Sequence, residues 1–332
     1  MKSRFYFVLI AFVLFSMSFT ACRPRSDLVT FVAADAGWDS QKFHNAIAKL
    51  VIENAFEGFQ LTFSTASSIM NWESMKRGDV DLFIELWPAT VQSYHDDVLA
   101  GLAINLGVLA EGTRSGVYVP RYVIYGDPTR GIAPIAPNLR RVEDLVRYHH
   151  LFPDDENPNM GRFFGAIPGW RIDEILHRKF LYYGLDRNWR YIRLGSEASL
   201  FASLMSAYNL GQPWVGYGYE PTWIMGRLDM VLLEEEPFCP VGYYEGRTAF
   251  PSQQLLTVSS RYFPDKAPEI TEFLRNFRTS IELISEALAW LADTRTTHEA
   301  AAIWFMQNND ELLDEWLPAE NAAKLRKFLS RR

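Results

Sequence analysis

Apolar positions along the chain form short continuous runs that alternate with stripes of helical spacing. Residues 28–34 read as a buried strand. Phe43, Ile47, Leu50 and Val51 then share one face of a helix, which Asp39 or Ser40 can cap. A strand around residues 60–64 follows, then a short helix over 69–77 stopped by Gly78, then a strand over 80–86 that delivers Trp87 and Pro88. This βαβαβ rhythm predicts a mostly parallel sheet covered by helices. The rhythm returns later. Residues 162–167 form a strand, and Ile172, Ile175, Leu176 and Phe180 stripe a helix that Gly184 stops. A strand over 189–194, a helix carrying Leu200, Phe201, Leu204 and Met205, and a strand over 214–219 before Pro221 complete the second pass.

The two passes align at one constant spacing of 132 residues. Gly37 matches Gly169, Trp38 matches Trp170, Trp87 matches Tyr219, and Thr90 matches Thr222. Equal spacing at separate landmarks predicts two related α/β lobes. Residues 116–128 read as a β segment leaving the first lobe, and "DMVLLEEE" and "QQLLTVSSRYF" carry the chain back. From Asp265 onward the pattern is helical, and those helices are expected to pack on the first lobe. The expected division is 28–117 plus 245–332 for the first lobe and 118–244 for the second. Two crossings then join the lobes and leave a cleft between them.

The N-terminus changes the picture of where the fold works. Lys2 and Arg4 precede an apolar run from Phe5 to Phe19, and Thr20-Ala21-Cys22 follows. A positive start, an apolar run of ~15 residues and a small residue before the cut describe a signal peptide. The expectation is therefore a signal over 1–21 and a tether over 22–27, with a lipid on the Cys22 thiol. Export leaves 31 basic against 40 acidic residues, a net charge of -9, and no basic stripe for nucleic acid. Cys239 is the one further cysteine, so no intramolecular disulfide is expected if Cys22 is lipidated. Ten tryptophans are present, and aromatic residues make up 14% of the chain.

That aromatic excess gathers at strand ends. In open α/β sheets, ligands bind beyond the carboxyl ends of the strands. Trp38, Trp87, Trp170 and Tyr219 are placed there, two from each lobe, with no lysine in the same motifs. Ring faces with no lysine beside them suit a ligand whose positive charge is spread over methyl groups, each contact contributing about 0.5–2 kcal/mol. The helix after Gly169-Trp170 points free N–H groups and a positive dipole end at the cleft, a site for a carboxylate. The N–H groups of Arg171 and Ile172 are the expected donors, with the Arg171 side chain assisting. Gly37-Trp38 offers the same geometry, and spacing alone does not choose between them.

These segments carry a family resemblance. "AGWDSQKFHNAIAKLVIE", "MKRGDVDLFIELWPAT", "YVPRYVIYGDPTRGI", "GRFFGAIPGWRIDEI" and "YGYEPTWIMGRLDMVLLEE" together resemble the glycine betaine/proline betaine substrate-binding proteins of ABC transporters. The resemblance spans essentially the whole mature chain. It implies a two-lobed periplasmic-binding-protein type II fold and an aromatic box from Trp87, Trp170 and the position of Tyr219. It also implies main-chain capture of a carboxylate after Trp170, delivery to a membrane permease, and no cofactor or metal. A lipid-anchored monomer outside the membrane, binding glycine betaine or proline betaine, is the expectation; a choline or carnitine receptor is the alternative.

Departures bear on the ligand. Tyr219 stands where family members often carry Trp, and Glu220 follows it where related sequences commonly have a small or neutral residue. A Glu220 facing the cleft would repel a carboxylate and favour a plain cation; a Glu220 facing solvent would do neither. Tyr118, Tyr217 and Trp223 are candidates for the rim or for the core.

An exported enzyme is the rival of a different class. The sequence holds no GxSxG, HExxH, P-loop or Cys-x-x-Cys. "VGYGYEPTW" begins like a dinucleotide fingerprint, but Pro221 occupies the third glycine's place. His149 and His150 are adjacent and would point apart on a helix, while His44 and His177 sit within helical patterns and read as packing or surface residues.

Overall fold

The structure is a computed structural model that describes residues 28–332. The expected signal and the Cys22 lipidation site lie outside the described residues. The chain folds into two five-stranded sheets of the same design. In the first, β1 (Val29–Asp35) pairs in parallel with β2 (Phe59–Thr65) and β3 (Leu82–Leu86). β4 (Ala103–Ala110) and the late strand β10 (Leu255–Ser260) complete the order β2-β1-β3-β10-β4. β10 runs antiparallel to both of its neighbours.

The second sheet has the order β7-β6-β8-β5-β9, from β5 (Arg114–Pro120), β6 (Gly161–Phe164), β7 (Trp189–Ile192), β8 (Gly216–Glu220) and β9 (Met230–Leu232). β6 is parallel to β7 and β8, whereas β5 is antiparallel to β8 and β9. Each sheet thus has three parallel strands from one βαβαβ pass, and its fourth position is the first strand made after a crossing. The duplication read from the sequence is a duplication of topology.

The local rules explain most elements. β3 is buried along its whole length, as a central parallel strand covered on both faces must be. The helix Ser68–Arg77 starts on Ser67, whose hydroxyl accepts the Met70 N–H, and stops on Gly78 in the left-handed region. The helix Asp39–Ala55 departs from expectation, because neither Asp39 nor Ser40 caps it. Trp38 occupies the cap position, and its side chain makes no capping hydrogen bond.

The crossings are corrected too. β5 belongs wholly to the second sheet, so the first crossing is residues 111–113 rather than a break after 117. On the return, Phe250 packs on Tyr217 and Tyr243 of the second lobe, which moves the second crossing beyond 245, to residues 251–254. The crossings are tied to each other. Thr113 Oγ1 donates to the Gln253 carbonyl at 3.0 Å and accepts the Gln253 N–H at 3.0 Å.

Among the late helices, His298–Asn308 and Ala319–Leu329 pack on Asp39–Ala55 as expected. Ile281–Thr294 also reaches the second lobe, touching Trp223–Arg227, where Arg227 pairs with Asp293. No helix among the described residues is long and apolar enough to cross a membrane.

Candidate functional site: an aromatic cavity between the lobes

Three of the four expected rings stand where a strand hands over to a helical turn. Trp38 precedes Asp39–Ala55, Trp87 precedes the 3-10 turn Pro88–Thr90, and Trp170 precedes the helix Arg171–Tyr182. Tyr219 is the penultimate residue of β8. Gly37 and Gly169, at φ +100° and +93°, make the sharp turns that aim the two matched tryptophans into the cleft; a side chain there would strain the backbone.

The rings converge. Trp38 and Trp170 meet edge to face at 5.8 Å between centroids, Trp170 and Tyr219 at 5.8 Å, and Trp87 and Tyr219 at 5.7 Å. All four are more than nine-tenths buried and line one cavity of about 40 Å³ between the lobes. Tyr217 joins the lining, stacked at 5.8 Å on Tyr219. Ile172 and Arg171 also line it, and Ser68, Thr90, Ser115 and Gln253 contribute hydroxyls and an amide.

The lobes are closed on this cavity. Trp170 Nε1 of the second lobe donates to the Ala36 carbonyl of the first at 3.0 Å. The Ser68 N–H donates to the Gly169 carbonyl at 3.4 Å. Tyr244 Oη donates to the Ala89 carbonyl at 3.0 Å.

Two buried carboxylates that the sequence reading did not single out organise the rings. Glu85 is fully buried in β3 and holds φ at +62°. Its Oε1 accepts Trp38 Nε1 at 2.8 Å, Ser40 Oγ at 2.6 Å and Trp87 Nε1 at 3.3 Å. Its Oε2 lies 2.5 Å from His44 Nδ1, and His44 Nε2 lies 3.0 Å from Thr279 Oγ1. One carboxylate therefore fixes both first-lobe indoles. His44 is a member of that network rather than an ordinary packing residue.

Glu197 does the corresponding work from the second lobe. It opens the helix Glu197–Leu210, accepts the Tyr219 hydroxyl on Oε1, and accepts the Asp39 N–H on Oε2 at 2.7 Å. The missing cap of Asp39–Ala55 is thus supplied across the cleft. Burial pushes the Glu197 carboxyl up to about 8; Asp39 adds repulsion, while the Tyr219 hydroxyl, the Asp39 N–H and Lys42 oppose the shift. Burial also holds the Tyr219 phenol well above its ordinary range, with Glu197 reinforcing it.

Other expectations are redrawn. Arg171 and Ile172 do line the cavity, but the Arg171 N–H already donates to Ser68 Oγ at 3.3 Å and its guanidinium is paired with Glu174. Gly37 gives its N–H to Asp35 Oδ1 at 2.9 Å and lies behind Trp170 instead of lining the cavity. Tyr118 is buried against Gly218 and stays off the cavity. Glu220 stays off it too, opposite Arg114 on the neighbouring strand and 4.0 Å from its guanidinium; burial raises its carboxyl, and Arg114 counters. Trp223 packs on Phe201 at 6.0 Å, away from the lining.

Two matched lobes closing on a buried pocket define a two-lobed solute-binding protein with the periplasmic type II fold. The chain belongs to the family described as the substrate binding domain of ABC-type glycine betaine transport systems, which it matches over residues 29–308. A curated relative, the glycine betaine/carnitine transport binding protein GbuC of Listeria monocytogenes, is 24% identical over 135 residues. That alignment spans 41% of this chain and 41% of the relative.

Solved structures share the fold more widely. The glycine betaine/L-proline-binding protein ProX of Borrelia burgdorferi superposes with a TM-score of 0.71 at 18% identity, covering 89% of this chain and 99% of that one. A choline-binding protein of an ABC transporter, in complex with choline, gives 0.70 at 16% identity over 90% and 98%. Lactococcal OpuAC, closed on glycine betaine, gives 0.67 at 17% identity over 87% and 100%.

Proposed function

We propose that this protein captures a quaternary ammonium compound outside the cytoplasmic membrane and presents it to the permease of an ABC importer. The observation that carries the reading is the cavity itself. Rings from both lobes enclose it, and the one cation in its lining, Arg171, is committed to Glu174. A methylated ammonium meets such walls on all sides, at about 0.5–2 kcal/mol per ring face. Three or four faces near the upper end of that range, with the buried methyl surface, supply most of the ~8 kcal/mol of a micromolar complex.

Closure completes a box that neither lobe has alone, so the closed form is the one that holds the ligand. Glycine betaine, proline betaine, choline and carnitine are the candidates. Calorimetric titration of the mature protein with these four and taurine tests the class. Heat with at least one methylated ammonium is expected; heat with taurine alone refutes the reading. The same proposal tethers the folded part through a lipid on Cys22, and a mature chain whose mass lacks that acylation would remove the tether.

A further inference from the structure

The buried acids of this protein come with partners, with one exception. Among the described residues, Asp81 lies 3.0 Å from Lys266, Asp97 3.2 Å from Lys76, Asp154 3.1 Å from Arg162 and Asp173 2.7 Å from Arg193. Glu85 has His44 at 2.5 Å. Glu197, only 3% exposed, has no Lys, Arg or His nitrogen within the 4.0 Å of an ion pair. Lys42 acts on it from farther away and Asp39 acts against it. An uncompensated carboxylate in the interior is costly, and proteins normally pair it or neutralise it.

Its hydrogen bonds suit the ionised form, since both oxygens accept, one from the Tyr219 hydroxyl and one from a helix N-terminal N–H, while burial and Asp39 work against it. What the interior does not supply is the positive charge. The place for one is beside it, because the phenol that donates to Glu197 is also a wall of the aromatic cavity.

Resting on the quaternary ammonium reading, we propose that Glu197 is a specificity-determining residue whose counter-ion is the ligand, so that the site selects a ligand of net charge +1 over a zwitterion. Tyr219 sits between the two charges, its face toward the ammonium and its hydroxyl on the carboxylate. A ligand that brought its own carboxylate would cancel the charge Glu197 requires, and the cavity offers it little in return. The Arg171 guanidinium is spent on Glu174 and its N–H on Ser68. The remaining polar walls, Ser68, Thr90, Ser115 and Gln253, both donate and accept, which fits a neutral hydroxyl better than an anion. Glu220, the residue expected to set this preference, is off the cavity and near Arg114; Glu197 takes the role from another element.

The test is calorimetry with choline, tetramethylammonium and glycine betaine on the wild-type protein and on Glu197→Gln. Gln accepts the Asp39 N–H and meets the Tyr219 hydroxyl without the charge. The wild type is expected to bind choline at least about tenfold more tightly than glycine betaine. Glu197→Gln is expected to lose at least about tenfold for choline and tetramethylammonium, but less than about threefold for glycine betaine. Equal losses for cation and zwitterion would make Glu197 a structural link between the lobes and overturn the proposal, as would no loss for either. A wild type that prefers glycine betaine overturns it without recourse to the variant. A wild type that binds none of the three removes the quaternary ammonium reading as well.

Discussion

Replacing Glu85 with Gln probes the carboxylate that holds two walls of the box. Four donors converge on it, from Trp38, Ser40, His44 and Trp87, at 2.8, 2.6, 2.5 and 3.3 Å. The residue also holds a left-handed backbone at φ +62°, which costs roughly 1–2 kcal/mol for a side chain other than glycine. The bonds must exceed that strain. Gln retains an acceptor oxygen for Trp38 and Ser40, but turns an amide N–H₂ toward His44 and removes the buried charge.

Removing one partner of a buried pair costs about 3–5 kcal/mol, and the retained acceptor places Gln near the lower end, about 3 kcal/mol. At roughly 2–4 °C per kcal/mol for a unit of this size, Tm should fall by about 6–12 °C. Differential scanning calorimetry reads that shift, and tryptophan fluorescence titration on the folded variant reads the affinity. Ligand binding should weaken with stability, because both indoles lose the acceptor that orients them. A variant within about 1 °C of wild type, with unchanged affinity, would show that the carboxylate neither pairs with His44 nor positions the rings.

Two further predictions concern the rings and the closure. Trp170→Ala should weaken ligand binding by at least about 1 kcal/mol while leaving the fold intact, since the ring spans the cleft instead of filling either lobe's interior; circular dichroism showing loss of fold would return Trp170 to the core. The second rests on Glu197, whose carboxyl is pushed up to about 8 by burial in this closed structure; an opened form that let water reach it would return it toward the ordinary value of 4.5. Asp39, Lys42 and Tyr219 act on it, and Glu85 acts on Tyr219. The closed form therefore binds more protons across that interval, and closure without ligand is favoured in acid and lost as pH rises through about 8. Small-angle scattering should find the empty protein more compact near about pH 5 than near about pH 9, and a radius that stays constant across the range would contradict the assignment.

Periodicity carried much of the fold because each lobe buries a parallel sheet. Runs such as residues 80–86 have few other places to go, and the repeat at constant spacing marks two copies of one topology. The four rings were legible for the same reason, as large side chains at turns where no core can use them. The two carboxylates were harder to read. Glu85 is an acid inside an apolar strand, a local conflict that could have flagged it, but its meaning depends on His44, 41 residues earlier. Glu197 carries no local signal at all. Its Asp39 partner is 158 residues away, and no capping rule written for neighbours along the chain finds it. The crossings were misplaced by a few residues because an apolar strand does not announce which sheet it will join.

The tie between the two crossings has a mechanical consequence. Gln253 sits on the segment about which the lobes must swing, holds Thr113 of the companion segment through its main chain, and holds the Ala89 N–H at 2.9 Å through its side chain. It is also part of the cavity floor. Cargo therefore presses on the axle as well as on the jaws. A solute too bulky at that end would be resisted by the pivot even when every ring accommodates it, so size would be gauged at the hinge and charge at the buried carboxylate behind Tyr219.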